Sequence, residues 1–182
     1  EAGADAIGLV VAPGSPRRLS TADAASIAIR LRERVTIVAV VQDPPHLRDV
    51  AWADVVQLHG TESPAFVAAH ASSTRPLIKA LPFDAAEIVA WDAETAVAAL
   101  LIDSPRAGGG EPFDHGPLAE LAPSIAHPII LAGGLRPETV GAAIARVRPH
   151  GVDVSSGVES SRGVKDAARI REFCDAVRAA TS

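Results

Sequence analysis

Short apolar runs rich in β-branched residues recur along the chain, each bounded by turn residues and separated by stretches in which apolar positions return at helical spacing. Seven such runs predict strands at Ala6–Val11, Val35–Val41, Asp54–Leu58, Pro76–Leu81, Ala98–Asp103, Pro128–Ala132 and Val152–Ser155. Most are apolar throughout instead of alternating, which is how strands covered on both faces read. Between and after them, helices are predicted at Thr21–Glu33, Pro44–Val50, Ser63–Ala71, Asp84–Trp91, Pro117–Leu121, Pro137–Val147 and Asp166–Ala179, with Ser, Thr, Asp or Pro near their starts.

Strand and helix alternate in units of about 20 to 25 residues, the length of successive right-handed βαβ crossovers, so the sheet is expected to be parallel with helices outside it. Two architectures share that pattern. A doubly wound sheet carries its Gly-rich fingerprint after the first strand, whereas here the Gly-rich turns follow the sixth and seventh strands. Late glycines favour a (β/α)8 barrel, in which the last two βα loops commonly hold phosphate. Seven strands are one short of closure.

Composition narrows the choice of partner. With 182 residues, 48% hydrophobic and 21% charged, the chain fits one domain over residues 1–182 with a sizeable core. A net charge of -5 leaves no basic field for nucleic acid, although a few local cations could still hold one phosphate group. No apolar run approaches the roughly 18 to 20 residues needed to span a bilayer. The only cysteine, Cys174, supplies neither a disulfide framework nor a Cys-rich zinc site, so a cytoplasmic protein is expected. The sequence opens on Glu1 and contains no Met, from which an upstream segment is expected.

The candidate chemistry lies at strand ends. Leu131-Ala132-Gly133-Gly134-Leu135 closes a strand before Pro137, a favoured first-turn helix residue. Without Cβ atoms, Gly133 and Gly134 let backbone N–H groups approach an anion at a helix N-terminus; the bland alternative is a tight βα turn. The next strand ends in Asp153-Val154-Ser155-Ser156-Gly157-Val158-Glu159, again setting hydroxyls, amides and a glycine at a C-terminal strand end. Two adjacent loops of this kind would make a phosphate cup from Gly133, Gly134, Ser155, Ser156 and Gly157. Asp103 ends an apolar strand before the flexible stretch Ala107-Gly108-Gly109-Gly110 and is either a general acid or a cap. Gln57 and His59 form a polar pair at another strand end, His59 being a substrate contact or a satisfied structural histidine. Arg17 follows the first strand, where a guanidinium could take a carboxylate in a bidentate pair; Arg18 reads as solvated surface. Lys79, inside an apolar strand, reaches the strand ends or pairs within the barrel, and a Schiff-base role for it is weak. Cys174 reads as a packing residue of the last helix, and Trp52 and Trp91 as packing residues beside helix ends.

Gly3–Gly8, Ser15-Pro16-Arg17, Gln57-Leu58-His59-Gly60-Thr61-Glu62-Ser63, Ile78-Lys79-Ala80, Leu101-Ile102-Asp103, Leu131–Leu135 with Pro137-Glu138, and Gly151–Glu159 together resemble phosphoribosylanthranilate isomerase, a tryptophan-pathway family, nearly end to end and in the same order. The resemblance implies a (β/α)8 barrel, here lacking its first strand, that acts on a small phosphosugar without metal or cofactor. The reaction implied is the Amadori rearrangement of N-(5-phosphoribosyl)anthranilate. Carried over, Asp103 matches the general acid, Arg17 the residue holding the anthranilate carboxylate, and the two glycine loops the phosphate site. Gln57 and His59 match residues near the substrate. The general base of the family, a cysteine at the end of its first strand, has no match here, and Cys174 is not its replacement, so the chain as given is expected to be inactive. The missing strand would expose the edges at Ala6–Val11 and Val152–Ser155, favouring instability or self-association. Ala107 and Gly109 depart from the family's Gly-Gly-Thr-Gly stretch, which bears on how that loop fits the substrate. Two other readings share the late glycine loops. One is a non-catalytic phosphosugar-binding barrel. The other is a different phosphosugar barrel enzyme, such as a phosphopentose epimerase or a thiamine phosphate synthase, which gives Arg17 no carboxylate to hold.

Overall fold

A computed structural model describes residues 2–72, 74–105 and 113–181. The departures at Ala107 and Gly109 lie outside the described residues. Two compact units emerge, one made of Ala4–Ala80 with Glu94–Ala98, the other of Glu1–Gly3, Leu81–Ala93 and Ala99–Ser182.

In the first unit, β1 (Ala6–Val10), β2 (Thr36–Val41), β3 (Val55–Leu58) and the start of β4 (Leu77–Pro82) pair in parallel in chain order. The register sets Gly8 opposite Val38, Val40 opposite Gln57 and Leu58 opposite Lys79. Helix α1 (Thr21–Leu31) starts where Ser20 Oγ accepts the Asp23 N–H at 3.1 Å, and its Ala24 and Ala28, one turn apart, are fully buried. Those alanines meet Leu9 and Ile37, with Leu19, Ile27, Leu31 and Trp52 closing around them. Trp52 is thus a packing residue, as its sequence position suggests. Along β1 the residues Ala6, Ile7 and Gly8 are exposed. Helix α2 (Pro64–His70) is capped by Ser63 in the same way as α1.

The second unit pairs β5 (Ala99–Asp103), β6 (Ile129–Leu131) and β7 (Gly151–Val152) in parallel. Its helices are α3 (Ala85–Asp92), capped by Asp84, then α4 (Gly116–Leu121), α5 (Pro137–Val147) and α6 (Ala167–Thr181). Asp166 starts α6 by accepting the N–H groups of Ala168 and Arg169. Gly141 of α5 faces Ala180 of α6, where a Cβ at 141 would fit in ordinary contact at 3.8 Å.

Two local expectations are corrected. The segment Pro44–Val50 forms only a 3-10 turn at Arg48–Val50. Pro45 disfavours the helical region for Pro44, and Asp43 before them has φ of 45°, so the chain enters this segment in non-helical backbone. The last predicted strand shortens to Gly151–Val152, and the chain then makes a 3-10 turn at Ser156–Val158 and a small antiparallel hairpin, β8 (Glu159–Ser161) and β9 (Val164–Lys165). Gly163, at φ of 86°, supplies the turn of that hairpin. No helix of the described residues is long and apolar enough to cross a membrane.

Candidate active site

Each unit carries polar groups at the C-terminal ends of its own strands. In the second unit, Asp103 ends β5, and its Oδ1 accepts the N–H of Ser104 at 2.7 Å. Gly133, just after β6, packs beside it in the left-handed region at φ of 87°. A Cβ at 133 would come within 2.9 Å of Asp103 Oδ1 and 2.5 Å of the Ser104 nitrogen, so both conformation and space require glycine. The following loop is tied to the one after β7, because a Cβ on Gly157 would collide with the carbonyl of Leu135. Asp103, Gly133-Gly134 and Ser155-Ser156-Gly157 therefore lie in one contiguous stretch of surface within this unit. The 3-10 turn at Ser156–Val158 opens toward its N-terminus with amides that have no acceptor inside the turn.

Beside Asp103 stands an aromatic cluster absent from the sequence reading. The Phe83 N–H donates to the Asp103 carbonyl at 3.0 Å. The Phe83 ring stacks on Phe113, with centroids 5.8 Å apart, and His115 meets Phe113 edge-on at 4.6 Å. Burial pushes the His115 imidazole below its usual pKa, the positive charge of Arg146 lowers it further, and Asp114 offsets part of this; the ring is neutral near pH 7. Two of the chain's four phenylalanines meet here, a coincidence in space that their distance in sequence hides.

In the first unit, Gln57 is buried on β3, its Nε2 lying 3.1 Å from His59 Nδ1. Arg17 is half-buried in the loop after β1, its backbone N–H donating to Ser15 Oγ at 3.2 Å. Lys79 resolves to pairing inside the unit: Nζ lies 2.9 Å from Glu62 Oε2 and donates to the Gly60 carbonyl at 2.5 Å. Glu62 in turn accepts the N–H groups of Asp43 and Gly60, and Asp43 Oδ1 accepts from Thr61. This lattice fixes the loop that carries His59, and the sequence reading missed Glu62 and Asp43 as its members.

Cys174 lies in α6, partly exposed, away from these strand ends in sequence and in element. A cavity in each unit, about 470 Å³ beside Val35 and Asp54 and about 300 Å³ beside His127 and His150, opens at N-terminal strand ends, not at the ends bearing the candidate residues.

Comparison with known proteins gives the family of the chain. The family model for N-(5'-phosphoribosyl)anthranilate isomerase matches residues 1–176. The isomerase of Pseudomonas fluorescens (strain Pf0-1) is 41% identical over 189 residues, which cover 98% of this chain and 90% of the relative. That of Afipia carboxidovorans is 43% identical over 202 residues, covering 100% of this chain and 83% of the relative. The crystal structure of the Thermus thermophilus isomerase superimposes with a TM-score of 0.87 at 35% identity, covering 98% of this chain and 90% of that one. An isomerase solved with reduced 1-(o-carboxyphenylamino)-1-deoxyribulose 5-phosphate gives a TM-score of 0.85 at 31% identity, covering 98% of this chain and 89% of that one. The family model over residues 1–176, the identity to these relatives over nearly the whole chain, and seven parallel strands alternating with helices as in these barrel structures show that the chain belongs to the N-(5'-phosphoribosyl)anthranilate isomerase family of tryptophan biosynthesis.

Proposed function

We propose that this chain binds N-(5-phosphoribosyl)anthranilate and carries the acid half of its Amadori rearrangement to 1-(2-carboxyphenylamino)-1-deoxyribulose 5-phosphate. The observation that supports this reading is the contact of Asp103 with Gly133, on a loop itself in contact with Gly157. A phosphate held on the amides of these loops brings a phosphosugar to the carboxyl group of Asp103. Asp103 gives its proton to the furanose ring oxygen. The C1–O bond breaks while the anthranilate nitrogen lone pair forms the C1=N bond. A base then takes the proton from C2, the electrons of that C–H bond form C1=C2, and the iminium nitrogen is neutralised. The resulting enolamine tautomerises: its C2 hydroxyl gives up a proton, C1 gains one, and the C2 ketone is left.

The reading gives Arg17 the anthranilate carboxylate and sets Gln57 and His59 near the sugar, by likeness to the family. Phe83 and Phe113 supply apolar surface beside the acid, suited to an aryl group. The one cysteine of the sequence lies in α6, partly exposed, and is not given the role of the base. A cytoplasmic location follows from the same reading, supported by the single cysteine.

Calorimetric titration with reduced 1-(o-carboxyphenylamino)-1-deoxyribulose 5-phosphate tests the assignment. The expected result is saturable binding, displaced by inorganic phosphate. Absence of binding, or binding that phosphate does not displace, would overturn it.

A further inference from the structure

The hairpin β8–β9 stands directly after the Ser155–Gly157 loop and is built around one buried carboxylate. The Glu159 side chain is only 5% exposed; one of its oxygens accepts the Gly163 N–H at 3.1 Å, and the other lies 3.1 Å from Lys165 Nζ. Lys165 does not end there. Its ammonium also donates to the Ser155 carbonyl at 2.7 Å and lies 3.2 Å from Ser155 Oγ. The strap is pinned from behind as well, where Arg169 of α6 donates to the Glu159 carbonyl at 3.0 Å.

A peptide group is planar, and in the trans form its C=O and N–H point in opposite directions. A cation that holds the Ser155 carbonyl on one side therefore turns the Ser156 N–H to the other, along with the mouth of the 3-10 turn. We infer that Lys165, anchored on Glu159, is a positioning residue that orients the Ser156 and Gly157 amides for a phosphate monoester. This rests on the phosphate reading of that loop given above, and it assigns Lys165 no contact with the substrate. The rival role for Lys165, a free positive charge attracting the phosphate, makes the opposite demand on Glu159. Neutralising Glu159 would then release the charge and tighten binding, whereas a strap that loses its anchor binds less well.

The experiment is a titration of the full 182-residue chain with inorganic phosphate, followed through the amide resonances of Ser156 and Gly157, for wild type, Lys165→Met and Glu159→Gln. Both variants are expected to weaken phosphate binding by about tenfold, the scale of a lost hydrogen bond to a charged group. Glu159→Gln binding as tightly as wild type or tighter overturns the inference, as does Lys165→Met binding within twofold of wild type. If Glu159→Gln fails to fold, Lys165→Met decides through hydrogen exchange of the Gly157 amide without phosphate. Exchange rises about tenfold if the loop has lost its strap and stays unchanged if Lys165 is only a charge. A wild-type chain with no saturable response overturns the phosphate reading and the inference together. A wild-type response that both variants keep overturns the inference alone.

Discussion

Lys79 and Glu62 form an ion pair 2.9 Å long with side chains 2% and 1% exposed, the most deeply buried charges described in the first unit. Burial of this depth is tolerated because each partner has further hydrogen bonds, Lys79 to the Gly60 carbonyl and Glu62 from the N–H groups of Asp43 and Gly60. Lys79→Met leaves the Glu62 carboxylate buried without its cation and is expected to cost about 3 to 5 kcal/mol. Replacing both, as Lys79→Met with Glu62→Leu, is expected to cost less than the single change. Urea unfolding followed by circular dichroism measures both; a loss below about 1 kcal/mol for Lys79→Met would contradict the account.

Asp103→Asn keeps nearly the same shape but cannot deliver a proton to the ring oxygen. In a chain supplied with the family's base, by fusing the first strand of the Pseudomonas fluorescens relative, turnover is expected to fall by about 10² to 10⁴. Affinity for the reduced product analogue is expected to stay within about threefold, since the phosphate loops are untouched. Retained turnover would remove Asp103 from the mechanism.

Gly157→Ala tests the contact between the two glycine loops. A Cβ there meets the Leu135 carbonyl, a backbone atom that cannot swing aside as a flexible side chain would. One loop has to shift, and affinity for the reduced analogue is expected to fall by at least about tenfold in calorimetry. Gly14, where a Cβ would meet nothing within 4 Å, supplies a control only partly, since its φ of 77° strains alanine.

Asp92 is the clearest source of acid sensitivity in the second unit. Burial alone would raise its pKa, but the backbone N–H groups of Ala126 and His127, the His127 side chain and its charge together hold the carboxyl below its usual value. A carboxyl depressed in the folded state stabilises the fold above its unfolded pKa, and that contribution is lost as pH falls through the folded value. Wild-type stability is therefore expected to decline as pH drops below about 4, and Asp92→Asn to flatten that part of the profile while costing about 1 to 2 kcal/mol at pH 7. Urea midpoints across pH 2.5 to 7 are the measurement. An acid limb of equal slope in both proteins would reject the role.

Much of this molecule was legible in sequence because the buried strands announce themselves as apolar runs: the bounds of β2, β3 and β5 differ from the expected ones by a single residue at the start. Asp103 and the glycine loops were legible because a strand end fixes where its next residue goes. The chemistry around them was not. Asp43 and Glu62 follow two different strands and Lys79 lies within a third, and Phe83 meets Phe113 across a whole βα unit. Periodicity reports that one face of a segment is covered, and is silent about which distant side chain covers it. The hairpin of Glu159 and Lys165 escaped for another reason, its strands being three and two residues long, too short to show alternation.

On the function proposed above, Arg17 separates the isomerase from other phosphosugar barrel enzymes, because it is given the aryl carboxylate that simple pentose phosphates lack. The Ser15 hydroxyl accepts the Arg17 backbone N–H, a contact that truncating the side chain at Cβ keeps. Arg17→Ala is expected to weaken the reduced anthranilate-bearing analogue by about 10- to 100-fold, the scale of a lost charge-assisted pair. Ribulose 5-phosphate, which keeps the phosphate and lacks the aryl carboxylate, is expected to bind within about twofold of wild type. Titrating both ligands against both proteins gives the answer directly. Equal losses would mean that Arg17 serves the sugar phosphate or the loop itself, and would move the chain toward the epimerase-like reading.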